Sequence, residues 1–108
     1  MQEAKLDNFK LIHKVPVTDI EEVTPVKEAI EKVIAEKGYA FPVSIDVYNV
    51  NYSLLTIHGF KSKIASQGLV DLLLESEEKI KLPFIPIAAK NYEVIQAYKN
   101  LDDYLQNN

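Results

Sequence analysis

Residues 8–17 alternate with a period of two: Phe9, Leu11 and Val15 fall on one face, Lys10 and Lys14 on the other, which predicts a strand. His13 shares the inward parity near the strand's end. Pro16 stops regular pairing, and Thr18 to Val23 are expected to connect. The period then lengthens. Val26, Ala29, Ile30, Val33 and Ile34 recur at i, i+3, i+4, i+7, i+8, one stripe of a helix. Thr24 is the expected cap, Pro25 the first helical residue and Gly38 the left-handed stop.

Alternation returns in a hairpin. Val43, Ile45 and Val47 alternate with Ser44, Asp46 and Tyr48; beyond Asn49-Val50-Asn51, Ser53, Leu55 and Ile57 alternate with Tyr52, Leu54, Thr56 and His58. A three-residue loop keeps both apolar sets on one face, with an asparagine expected in the left-handed conformation. Residues 61–75 predict a second helix whose core stripe is Ile64, Ala65, Gly68, Leu69, Leu72 and Leu73, with Val70 and Leu74 as an apolar strip beside it. A helix-interior glycine costs up to ~1 kcal/mol relative to alanine, so Gly68 points to a close backbone approach. Lys79 to Ile87 reads as a strand held to a sheet edge by Pro83 and Pro86. A final helix over about 91–105 would bury Val94, Ile95, Tyr98, Leu101 and Leu105.

The order β-α-β-β-α-β-α predicts an α+β fold, a ferredoxin-like two-layer sandwich (βαββαβ, antiparallel sheet order 4-1-3-2) with an extra C-terminal helix. At 108 residues the chain is expected to form a single domain, 1–108. Val33, Ile45, Leu55 and Leu72 are the core positions expected to be most buried.

Composition narrows the function classes. Apolar residues make up 47% of the chain, enough for a core. The absence of cysteine removes disulfides, thiolate metal sites and cysteine nucleophiles. All 12 basic residues are lysines and the net charge is -4, which argues against nucleic acid, whose recognition needs a basic surface and arginine forks. The acids interleave with lysines, as Glu28, Glu31 and Glu36 do with Lys27, Lys32 and Lys37 on a solvated helix face. The first seven residues lack a signal-peptide pattern and no apolar run spans a bilayer, so neither membrane nor export is expected and cytoplasm is the default.

Chemistry-bearing patterns are few. The two histidines have no metal-ligand spacing, so no metal and no cofactor is expected. At the strand-to-helix junction, Gly59, Lys61, Ser62 and Lys63 form an anion-binding candidate: Ser62 would cap the helix, and the lysines oppose the helix dipole unless an anion relieves them. The outer sheet face carries Ile12, Tyr48, Tyr52 and Leu54, which together with Val70 and Leu74 are interaction-face candidates needing a cover. Either the last helix or a second subunit would supply it, the helix being favoured for the sheet. One helix hardly covers both surfaces. The leading expectation is a non-enzymatic interaction or regulatory module acting as a homodimer. An anionic-metabolite module at Gly59–Lys63 is the alternative, and acid–base chemistry around Asp46 and His58 the third.

Overall fold

The computed structural model describes residues 8–77 and 79–102. Strands β1 (Phe9–Pro16), β2 (Val43–Val47), β3 (Tyr52–Phe60) and β4 (Ile85–Ala88) form one antiparallel sheet in the order β2-β3-β1-β4. This is the expected 4-1-3-2 order. Helices α1 (Ile20–Glu36) and α2 (Lys63–Glu75) cover one face, and α3 (Ala89–Tyr98) covers the other. The chain is thus a ferredoxin-like α+β sandwich with an additional C-terminal helix.

Hydrogen-bond parity explains why the prolines lie where they do. Ala89 N–H donates to the Asn8 carbonyl (2.8 Å), which makes 10/87 and 12/85 the bonded pairs and leaves 11/86 unbonded. The Pro86 nitrogen therefore faces away from β1, where no donor is missed. Pro83 falls outside the strand. Residues 79–84, expected to continue β4, carry no regular structure, although Ile80, Leu82 and Phe84 still pack on the core.

Three further expectations are corrected. First, α1 begins five residues before Pro25, so Thr24 is not its cap and Pro25 lies inside the helix. An interior proline costs about 3 kcal/mol. Extending the helix buries Val23 and most of Ile20 against the core, and each buried side chain of this size returns roughly 1.5–3 kcal/mol. Gly38 does stop the helix, at φ 82°: its N–H donates to the Ala35 carbonyl and that of Tyr39 to the Ile34 carbonyl, both at 3.0 Å. Second, the hairpin loop is Asn49–Asn51 as expected, but neither asparagine is left-handed. Instead, the Asn49 side-chain oxygen accepts from the N–H groups of Asn51 and Tyr52, both at 2.9 Å. Third, α3 ends at Lys99, which is left-handed (φ 56°), so no single helical stripe joins Val94 to Leu101. The buried residues are Tyr92, Ile95 and Leu101; Val94 and Tyr98 are exposed, and Leu105 lies outside the described residues.

The inner core joins Leu11, Val15, Leu55, Ile57 and Phe60 of the sheet to Ile30 and Val33 of α1 and Leu69 and Leu73 of α2. Val33 and Leu55 are buried as expected, whereas Ile45 and Leu72 are only half-buried, since β2 is an edge strand and Leu72 borders an open groove. Leu55→Ala and Val33→Ala should each cost roughly 2–4 kcal/mol in urea unfolding, and Ile45→Ala clearly less. A cost for Leu55→Ala near that of an exposed site, about 0.5 kcal/mol, would contradict this core.

Candidate interaction surface and the polar network beneath the third helix

The outer sheet face is occupied. Ile12 and Leu54 are fully buried (both 0% exposed) and Tyr48 nearly so, packed with Ile87 beneath Tyr92, Ile95 and Leu101. The Leu101 N–H donates to the Tyr48 hydroxyl at 2.8 Å, which ties the chain after α3 back to the sheet. Tyr52 is half-buried, with the Lys14 ammonium 4.4 Å over its ring. Val70 turns toward the inner core, and Leu74 alone of the six interaction-face candidates is exposed. These six residues therefore do not form one accessible surface: α3 is the cover that the sheet required.

Polar groups on the same face are held by α3 as well. The Tyr92 hydroxyl donates to Asp46 Oδ2 in a short hydrogen bond and accepts from Gln96 Nε2 at 3.2 Å. Thr56 Oγ1 lies 3.3 Å from the Tyr92 hydroxyl and 3.2 Å from the Leu54 carbonyl, which accepts from it. Burial first, and then the bond to the Asp46 carboxylate, raise the Tyr92 pKa above 10.0, against smaller lowering effects from Thr56 and Gln96. The phenol stays protonated and works as a donor.

His58 lies on the same face, between Lys10 and Ser44. Lys10 Nζ is 3.0 Å from its Nδ1 and Ser44 Oγ is 2.8 Å from its Nε2. An ammonium only donates, so Nδ1 accepts and the ring proton sits on Nε2, aimed at Ser44. Asp46 is bonded to α3 through Tyr92, whereas Lys10 and Ser44 link His58 to the neighbouring strands.

At the α2 N-terminus, Ser62 caps as expected, its hydroxyl accepting from the Ala65 N–H at 3.1 Å. Gly59 lies inside β3, not at a loop. His58 and Gly59 together oppose Lys10 between the pairs Phe9–Phe60 and Leu11–Ile57, a bulge that φ 99° accommodates. A Cβ at Gly59 would meet the Phe41 ring at an ordinary contact distance of 3.4 Å, so the positive φ, and not space, is what favours glycine there. Lys61 and Lys63 are exposed. Among the described residues, no three acid or histidine side chains converge to hold a metal, and no helix is long and apolar enough to cross a membrane.

Among the described residues, α2 carries an uncovered apolar surface. Its buried side is Ser66, Leu69 and Leu73, rotated from the expected stripe; Ser66 is tolerated there because its hydroxyl donates to the Lys63 carbonyl at 2.6 Å. Ile64 is consequently 84% exposed, and Ala65 and Gly68 face outward. Beside them lies a groove of about 420 Å³ between α2 and the stacked rings of Tyr39 and Phe41, with Leu69 and Leu72 in its wall. The expected core stripe included Ile64, Ala65 and Gly68, because period alone does not say which side of a wide apolar arc is covered; Tyr39 and Phe41 carried no expectation.

No family model, curated protein or solved structure matches the chain.

Two outcomes check this description. Tyr92→Phe should destabilise the protein by about 1–2 kcal/mol in denaturant unfolding, because it leaves the half-buried Asp46 carboxylate without its donor. An unchanged midpoint would mean that the network does not hold α3. His13, whose ring meets Phe84 edge-on, has its pKa lowered from 6.5 by burial. Its folded form binds fewer protons than the unfolded chain, so its contribution is intact above pH 6.5 and is lost as pH falls toward the lowered folded value. Unfolding midpoints measured across that range should fall with pH less steeply in His13→Gln than in the wild type.

Proposed function

We propose that the protein is a non-catalytic interaction module that works as a homodimer. The observation that carries this reading is the outward face of α2, where Ile64 stands 84% exposed beside the groove under Tyr39. A soluble domain gains nothing by leaving an isoleucine, a leucine edge and two aromatic rings together in water, and a continuous patch of this kind marks a contact surface. The fold covers its other large apolar face with α3, so this one is left for a second chain. The polar side chains of the outer face support the same reading, since hydrogen bonds that fasten α3 occupy them. A two-fold contact is the economical closure, because it buries the same patch on both subunits with a single surface.

Sedimentation equilibrium should give a mass near twice 12.3 kDa at micromolar concentration. Ile64→Glu should give a monomer with wild-type circular dichroism and an unfolding midpoint that no longer depends on protein concentration. A wild-type chain that remains monomeric well above micromolar concentration would overturn the proposal.

A further inference from the structure

The outward face of α2 is self-complementary along its length. Ile64, Gly68 and Glu75 fall on its outward side with half-buried Leu72 at the edge, and Lys61 stands just before the cap at the N-terminal end. Large residues flank a glycine, and the charge changes sign from one end to the other.

Gly68 has no explanation within the chain. Its φ is not positive, and a Cβ there would meet nothing within 4 Å. An alanine would fit and would favour the helix by up to ~1 kcal/mol. What glycine alone permits is the close approach of another backbone from outside.

Resting on the homodimer reading above, we infer that two copies pair through α2 in antiparallel fashion, with the two-fold axis beside Gly68. In that register Gly68 faces its own copy at the closest approach of the helices. Ile64 of one protomer meets Leu72 of its partner, at the rim of the groove. Lys61 lies opposite Glu75 of the partner subunit, and Lys63 approaches the same carboxylate-bearing end. A parallel pairing would set lysine against lysine and acid against acid. The antiparallel one also lays each helix N-terminus beside the other's C-terminus, so each pair of lysines, unfavourable at the start of its own helix, sits by the negative end of the other. The charge conflict that suggested a bound anion is thereby resolved by protein carboxylates.

The chain contains no cysteine, so single introduced thiols report the register directly. A disulfide needs Cα atoms roughly 4.4–6.8 Å apart. Gly68→Cys under mild oxidation should form a covalent dimer on the order of tenfold or more faster than Glu28→Cys, an exposed control on α1, because the paired thiols are held at high effective concentration. Ile64→Cys and Leu72→Cys should each cross-link slowly alone and readily when mixed. Lys61→Glu should weaken the dimer several-fold, and Lys61→Glu combined with Glu75→Lys should restore it. A dimeric wild type in which Gly68→Cys reacts no faster than Glu28→Cys, or in which Ile64→Cys pairs best with itself, would overturn this register and leave the homodimer reading standing. A monomeric wild type would overturn both.

Discussion

The two central strands are apolar on both faces, and the architecture follows from that. Leu11, Leu55 and Ile57 look one way, Ile12 and Leu54 the other, and all five are withdrawn from water. One layer of helices cannot satisfy such a sheet. The βαββαβ unit supplies α1 and α2 to the first face, and α3 is then required for the second. The two faces are nonetheless covered differently. The inner one is closed by apolar packing alone, aliphatic and aromatic, whereas the outer one mixes apolar contact with the network of Asp46, Thr56, Tyr92 and Gln96. A hydrogen-bonded cover is directional, so it fixes where α3 sits as well as how firmly.

The strand order and the inward faces of β1, β2 and β3 were legible because alternation and proline placement report on the same backbone geometry. What was not legible was decided by contacts distant in sequence. Pro25 looks like a helix start until Ile20 and Val23 are seen to have a core to enter. Lys99 gives no sign that it will adopt a glycine conformation, so the phase of α3 was misjudged. The buried side of α2 includes Ser66, a polar residue that becomes acceptable only when its hydroxyl bonds back to the preceding turn.

The proposed contact surface follows the same division. Ile12, Tyr48 and Leu54 are notable in the sequence because they need a cover, but the chain supplies it. The residues left over, Ile64 and Gly68, had been absorbed into a core stripe. The Tyr92 network left one signal that could have been read: Asp46 and Thr56 share a parity with Ile12 and Leu54, so whatever covers that face must bring polar groups with it. Tyr92 and Gln96, one turn apart, are that pair.

Because α3 follows all four strands in the chain, the sheet leaves the ribosome before the helix that shields its outer face. For that interval Ile12, Leu54 and Tyr48 form an apolar surface that α3 does not yet cover. Transient exposure of this kind is where growing chains stick to one another or engage chaperones. The same order means that cleavage of a finished molecule near Ala88 would leave the sheet paired while uncovering its second face.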